Sequence, residues 1–330
     1  MEKAYSESKL CKQIMKKRKI KENSCKTYLS SLRKIKKEMT GDHSSIDDTD
    51  WLQDFEEVMD IINSEKKITT RKNRLTAVLV ALTSDKYPNQ PLIDKFQAEL
   101  EKLNNEYMKF LTKQEKTKQQ SDNWLDYREL VDVVNTIGEE VKYEGIQGAK
   151  VGRLDEDEMK LLQDYVILRT YLSFPLRNDF AEMAVVSLAD YNKIPKKERE
   201  QKNYLVKDKK KLYFYINAFK NKAKLGAKQF EIPKGLEKLI KLWLKHNKTG
   251  WFLIKNGTNE PLSPNGITKL LNKIFKKRVN KLISTSMIRH IIISHELRNE
   301  KTLAEKKKEE SDIKDRFMHS GLLNELYRKK

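Results

Sequence analysis

The sequence predicts a mainly α-helical protein with a small antiparallel β-sheet, an α+β fold, and three observations lead to this prediction. Glycine and proline number only 11 and 7 among 330 residues, so few positions interrupt a helix. Apolar residues recur at spacings of three and four along most of the chain, which is the helical period. One region, residues 203–233, is instead rich in β-branched and aromatic residues bounded by polar turns, which is typical of short strands.

The first part of the chain is predicted to hold a basic arm followed by a helical domain. Residues 1–22 form the arm, with a dense basic stretch at Lys16–Lys19. Residues 23–112 form the domain, in which four segments show the helical period. The predicted helices cover Ser24–Met39 with Ser24 as the N-cap, the region around Trp51–Ile62, a stretch from Thr69 to Leu82, and Leu92–Leu111.

The second part begins after a change of composition. Residues 113–122 contain no apolar side chain, which predicts an exposed linker. Residues 123–330 form the second domain, which is helix-rich except for three strands separated by short polar turns, and such turns indicate antiparallel pairing. The predicted strands are Asn203–Lys207, Leu212–Phe219 and Lys228–Pro233.

The charge balance indicates a polyanionic partner. Lys and Arg number 68 against 48 Asp and Glu, a formal net charge of +20, which favours nucleic acid first and an acidic membrane surface second. The basic residues that we expect to contact DNA are Lys16, Lys17, Arg18, Lys19, Lys26, Arg71, Lys72 and Arg74.

Several classes of protein are excluded by the sequence. The longest apolar run, Leu75–Leu82, is too short to cross a membrane, and the first ten residues lack the apolar segment of a signal peptide. We therefore expect an intracellular protein, located wherever its DNA is, in the cytoplasm or a host nucleus. Cys11 and Cys25 are too few for a zinc site and are expected to be reduced thiols. Because no glycine-rich phosphate loop is present either, we predict no metal, nucleotide or other cofactor.

Two arginines stand in apolar surroundings. Arginine accounts for 14 of the 68 basic residues, and Arg177 and Arg289 are flanked by aromatic and aliphatic side chains. A guanidinium in such a place needs an anionic partner. That partner is either internal, with Asp179 as the candidate for Arg177, or a bound phosphate.

The order of the candidate site residues resembles the catalytic domain of the tyrosine recombinases, the phage-integrase family of DNA strand-exchange enzymes. That family carries an arginine, a lysine on a β-hairpin turn, an H-x-x-R-H box, a histidine and a nucleophilic tyrosine, in this order. The matching residues here are Arg177, Lys220, Arg289, His319 and Tyr327, with Lys222 as the alternative to Lys220 and with Ser286, His290 and Asp179 as supporting positions.

The resemblance implies a site-specific DNA recombinase or integrase, of the kind found in viruses and other mobile elements. Such an enzyme cleaves and rejoins double-stranded DNA through a 3′-phosphotyrosyl intermediate, without metal or ATP. The resemblance also implies that residues 23–112 are a helical core-binding domain, that residues 123–330 are a tyrosine-recombinase-like catalytic domain, and that the protein assembles on DNA as a homotetramer.

Elementary chemistry accounts for these residue types. Two arginines can neutralise the non-bridging oxygens of a phosphate through paired hydrogen bonds. A tyrosine forms a covalent phosphotyrosyl bond that is kept for rejoining. A lysine ammonium on a mobile turn can protonate the leaving 5′-oxygen, and His319 would hydrogen-bond a non-bridging oxygen.

Departures from the family pattern leave two alternatives open. Ser286 stands where the family usually has the first histidine of the box, and a hydroxyl cannot act as a general base at neutral pH. A non-catalytic, decayed DNA-binding homologue is therefore one alternative. A type IB topoisomerase, which uses the same catalytic groups, is the other.

Overall fold

A computed structural model describes residues 8–41, 46–112 and 115–298 of the chain. The chain divides into two compact units, which we call the N-terminal unit (Met1–Lys113) and the C-terminal unit (Gln114–Lys330). The division falls at the beginning of the predicted linker. Over the described ranges, no helix has both the length and the apolar composition that crossing a membrane would require.

The N-terminal unit is a helical bundle built around one apolar helix. Its helices are α1 (Lys9–Arg18), α2 (Glu22–Thr40), α3 (Phe55–Asn63), α4 (Ile68–Ser84) and α5 (Gln90–Thr112), with a 3₁₀ turn at Asp50–Leu52. Helix α4 contacts each of the other four helices. Its central residues, from Ala77 to Leu82, are all apolar and buried, which explains why this stretch has no polar face.

Part of the predicted basic arm is a helix packed on this bundle. Leu10, Cys11 and Ile14 of α1 are buried in the bundle core. Cys11 and Cys25 are paired as a disulfide, with their Cα atoms 5.9 Å apart, so the prediction of two reduced thiols is wrong in this structure. The pair joins α1 to α2.

Helix α2 begins earlier than the sequence predicts. Lys21 is its N-cap residue, and Ser24 lies inside the first turn, so the prediction of Ser24 as the cap is wrong. Glu22 occupies the first position of the helix, where a negative charge is favourable, and forms an i,i+4 ion pair of 2.9 Å with Lys26.

The C-terminal unit combines helices with one sheet. Its helices are α6 (Lys118–Asp122), α7 (Tyr127–Tyr143), α8 (Glu156–Ser173), α9 (Leu188–Lys193), α10 (Lys196–Arg199), α11 (Lys222–Leu225), α12 (Lys234–His246), α13 (Pro264–Val279) and α14 (Thr285–Glu296). Helix α8 is central and packs against α7, α12 and α14. A capping box fixes its first turn, because the side chains of Asp155 and Glu158 each accept the other's backbone N–H.

The sheet is mixed rather than antiparallel. Its strands are β1 (Ala184–Ser187), β2 (Asn203–Asp208), β3 (Lys211–Ile216) and β4 (Lys228–Glu231), in that spatial order. Strands β2, β3 and β4 pair antiparallel as predicted, but β1 pairs parallel with β2. The parallel pairing is possible because α9 and α10 form the crossover connection between them. The prediction of a purely antiparallel sheet is therefore wrong in this one strand.

The two faces of the sheet belong to different clusters. In β2 and β3, Leu205, Phe214 and Ile216 face the main core of the C-terminal unit. Tyr204 and Tyr215 face a separate small cluster under α9. This alternation is the two-residue period of a strand.

Candidate active site

Arg177 lies on a turn that follows α8. Pro175 disfavours helical backbone at the preceding residue, and α8 accordingly ends at Ser173. Leu176 and Phe180 are buried in the main core, whereas Arg177 between them is partly exposed. The turn therefore anchors its apolar residues inward and leaves the arginine accessible.

Hydrogen bonds hold the backbone of this turn on several sides. Tyr171 Oη donates to the carbonyl oxygen of Arg177 at 2.9 Å, and the Arg177 N–H donates to Asp179 Oδ2 at 3.1 Å. Asn178 Nδ2 donates to the carbonyl oxygen of Pro264, the first residue of α13, at 2.8 Å. These bonds fix the backbone from which the Arg177 side chain extends.

The side chain of Arg177, unlike its backbone, is not bonded to the described residues around it. Throughout residues 8–41, 46–112 and 115–298, it forms no hydrogen bond and no ion pair. Asp179, the predicted internal partner, accepts the Arg177 backbone N–H instead of pairing with the side chain. Burial raises the pKa of Asp179, although the nearby charges of Arg177 and Arg289 act in the opposite direction.

Arg289 reaches the same turn from α14. Its side chain is 1% exposed, and its Nη1 donates to the carbonyl oxygen of Pro175 at 2.9 Å. Burial also raises the pKa of Tyr171, an effect that the negative charge of Asp179 adds to and the positive charge of Arg289 reduces. The structure thus brings Arg289 close to Arg177 and Asp179, from which it is distant in the sequence.

The remaining residues of the box lie one turn apart on α14. Ser286 is exposed in the first turn of the helix, and His290, four positions later, is partly buried. The position that carries histidine in the family pattern is therefore accessible here but bears only a hydroxyl. His319 and Tyr327 lie outside the described residues.

The predicted hairpin lysines stand on the turn between β3 and β4. Lys220 is exposed and lies two residues before Lys222, where the short helix α11 begins. Lys222 Nζ donates to the carbonyl oxygen of Glu200 at 3.1 Å, next to α10. Lys222 thus helps to hold the turn, whereas the side chain of Lys220 forms no hydrogen bond or ion pair with the part of the chain that the structure describes.

Asn203, which was not predicted as a site residue, connects the turn that carries Arg177 to the turn that carries Lys220, which we call the lysine turn (residues 217–221). Its Nδ2 donates to the carbonyl oxygens of Asp179 (2.8 Å) and Ala218 (3.0 Å), and its Oδ1 accepts the N–H of Ala218 at 2.8 Å. Asp179 lies two residues after Arg177, and Ala218 lies two residues before Lys220. The available signal was an amide at the first position of a strand whose next three residues, Tyr204, Leu205 and Val206, are apolar and buried.

The predicted DNA contacts of the N-terminal unit differ in accessibility. Lys16, Lys17, Arg18 and Lys19 are exposed at the end of α1. Two of them also bond to the chain near the end of α4, because Lys17 Nζ donates to the carbonyl oxygen of Asp85 and Arg18 donates to Thr83. Lys26 pairs with Glu22 as described above.

The three predicted contacts on α4 are engaged within the bundle. Arg71 forms an ion pair of 3.2 Å with Glu106, and Lys72 Nζ lies 4.2 Å from the ring centroid of Tyr107. Burial lowers the pKa of Lys72. These groups can still reach solvent, since both side chains are partly exposed.

Arg74 is buried and bound by carboxylates, although it was predicted to contact DNA. It is 5% exposed and donates two hydrogen bonds of 2.9 Å to the carboxylate of Glu38. It also forms an ion pair of 2.5 Å with Glu65. Two carboxylates thus bind this guanidinium within the N-terminal unit.

The fold of the chain is similar to that of a solved site-specific recombinase. The crystal structure of the XerH site-specific recombinase bound to difH substrate, a pre-cleavage complex, has a TM-score of 0.53 and 13% identity, covering 97% of this chain and 81% of that one. The crystal structure of XerA recombinase has a TM-score of 0.39 and 10% identity, covering 97% and 93%. No protein-family profile and no curated protein matches the sequence. The resemblance predicted from the sequence is confirmed at the level of the fold.

Proposed function

We propose that this protein is a site-specific DNA recombinase, of the kind that viruses and mobile elements use, acting through a 3′-phosphotyrosyl intermediate without metal or ATP. The observation that carries the proposal is the pair of arginines. Arg289 holds the turn of Arg177, and the Arg177 guanidinium has no hydrogen-bonding partner within the described ranges. A phosphate diester is the ligand that such a pair recognises in duplex DNA. The fold shared with XerH supports the same function.

The proposed reaction exchanges one phosphoester bond for another. The phenolic oxygen of Tyr327 attacks phosphorus and releases its proton to water, the bond from phosphorus to the 5′-oxygen breaks, and the ammonium of Lys220 protonates that oxygen. Arg177, Arg289 and His319 hydrogen-bond the non-bridging oxygens, on which negative charge grows in the transition state. Reversal of these steps, with a different 5′-hydroxyl, rejoins the strand.

The exposed basic residues at the end of α1 are the proposed contacts to the DNA backbone. Lys16, Lys17, Arg18 and Lys19 are accessible, and contacts of this type make affinity strongly dependent on salt. We further propose that four protomers assemble on two duplexes, which size measurements of the protein–DNA complex can test.

A covalent trapping experiment tests the proposed reaction. Duplexes selected for binding from a randomised pool are nicked close to each phosphate in turn, so that cleavage releases a short fragment and cannot reverse. In EDTA, we expect a denaturation-resistant adduct with the wild type and with Tyr143→Phe, whose ring is exposed on the C-terminal unit. We expect none with Tyr327→Phe. Two outcomes would refute the proposal. One is an adduct that still forms with Tyr327→Phe, and the other is a wild type that binds the DNA but forms no adduct with it.

One observation favours a second candidate, a DNA-binding protein without catalysis. Ser286 is exposed at the place where the family pattern has a histidine, so no imidazole is available there. If the wild type binds DNA but forms no adduct, while Ser286→His forms one, the second candidate is correct and the serine accounts for the lost activity.

A further inference from the structure

We infer that Asn203 is a positioning residue that sets Lys220 relative to the phosphate site of Arg177. This inference rests on the proposed function. It concerns a residue that does not touch the reacting atoms and acts through the two turns that it joins.

The hydrogen bonds of Asn203 join two segments that are distant in sequence. Its amide uses both N–H donors, one on the carbonyl oxygen of Asp179 and one on that of Ala218. Its Oδ1 accepts the backbone N–H of Ala218. At 8% exposure, the side chain is shielded from water that would compete for these bonds.

The sheet explains why a side chain is needed at this place. The last backbone pair between β2 and β3 joins Asn203 to Ile216. Beyond Ile216 the chain leaves the sheet, and the Asn203 amide then bonds both backbone groups of Ala218, as a further strand residue would. The side chain of Asn203 thus adds one more bonded pair to the β2–β3 ladder, at Ala218, two residues before Lys220.

The lysine turn is held at a second point as well. Lys222 Nζ donates to the carbonyl oxygen of Glu200. Lys220 therefore lies between Ala218, which Asn203 fixes, and Lys222. Because proton transfer to a leaving oxygen requires contact within hydrogen-bonding reach, a shift of this turn by about 1 Å reduces the rate.

A substrate with a sulfur leaving group separates this role from a general structural one. In a 5′-bridging phosphorothiolate, the leaving atom departs as a thiolate and needs no proton from Lys220. The full chain is assayed on matched oxygen and sulfur substrates, with Lys220→Ala as reference. Asn203→Asp keeps the shape and the Oδ1 acceptor of the side chain but loses both donors. Asn247→Asp is the control, since Asn247 is a buried amide that also donates to a backbone carbonyl oxygen, that of Trp251, and accepts a backbone N–H, that of Thr249.

We expect Asn203→Asp to cleave the oxygen substrate at least about tenfold more slowly than the wild type, and the sulfur substrate within about threefold of it, as for Lys220→Ala. Asn247→Asp should match the wild type on both. An equal loss on both substrates, or no loss on either, would overturn the inference. A wild type that forms no adduct on either substrate refutes the proposed function instead.

Amide hydrogen exchange tests the positioning without any need for activity. In Asn203→Ala, we expect faster exchange over residues 217–221, because the Ala218 N–H loses its acceptor. Asn247→Ala should leave these residues at the wild-type rate. Unchanged exchange over residues 217–221 in Asn203→Ala would overturn the inference, and global acceleration would identify a folding defect, for which Asn203→Ser, with a shorter polar group, is the replacement variant.

Discussion

Arg289 donates a hydrogen bond of 2.9 Å from Nη1 to the carbonyl oxygen of Pro175, two residues before Arg177. The buried arginine therefore holds the backbone that presents the accessible one. The two arginines have the same proposed ligand but different structural importance, and substitutions should distinguish them.

Substitution of Arg177 should reduce activity with little effect on stability. Its guanidinium makes no hydrogen bond or ion pair across the ranges that the structure describes, so Arg177→Lys removes only paired recognition of the phosphate. We expect adduct formation to slow by about 10²–10³-fold and the melting temperature to stay near that of the wild type. Arg128→Lys, on the exposed side of α7, is the control. A large drop in melting temperature for Arg177→Lys would show a structural role instead.

Substitution of Arg289 should reduce both activity and stability. A lysine in its place retains the charge but lacks the planar group that bonds to Pro175, and it leaves a buried ammonium. For Arg289→Lys we expect a loss of about 2 kcal/mol in the free energy of unfolding, together with a slower adduct reaction. Chemical denaturation followed by circular dichroism measures the first effect. Unchanged stability would contradict this account of the Arg289–Pro175 bond.

The sequence predicted those features that depend on local pattern. The strands β2, β3 and β4 follow from their β-branched and aromatic residues, and α4 and α5 follow from apolar repeats. Strand β1 was missed because Ala184–Ser187 is only four residues long and pairs parallel with a strand beyond a crossover. Such pairing depends on distant contacts rather than on local pattern.

The charged residues of the candidate site could be predicted from the sequence, but Asn203, which bonds to both of their turns, could not. The order of Arg177, Lys220 and Arg289 is visible in the sequence, whereas the bonds of Asn203 exist only after the strands pair. Arg74 shows that the internal partners of a basic residue are also invisible in the sequence. It was assigned to DNA because it is basic, but the carboxylates that bind it come from α2 and from the loop after α3.

The salt dependence of DNA binding should separate exposed from buried cations. Lys16→Gln combined with Lys19→Asn removes two exposed charges, and asparagine suits the left-handed backbone of Lys19 (φ 51°). If both contact phosphates, the slope of log Kd against log salt falls by about 1.8.

Arg74→Gln should keep the wild-type slope and lose about 2 kcal/mol of stability, because it leaves Glu38 and Glu65 without their partner. Fluorescence anisotropy over a range of NaCl concentrations measures the slopes. Equal slopes of log Kd against log salt for the wild type and the double variant would show that Lys16 and Lys19 do not contact the DNA.

Asp164 should make the protein less stable as the pH rises. Burial raises its pKa to about 7, although Lys160 and Arg278 partly oppose the shift, and its Oδ1 has no hydrogen-bond partner among the described residues. Between about pH 4 and pH 7 the folded state therefore binds a proton that the unfolded state has released, so the free energy of unfolding falls across this window.

Asp164→Asn removes this dependence of stability on pH. We expect it to match the wild type near pH 4 and to exceed its stability by up to about 4 kcal/mol at pH 8. Urea titrations at several pH values measure this, with Asp132→Asn, an exposed carboxylate on α7, as the control. A variant that is no more stable than the wild type at pH 8 would contradict the burial argument.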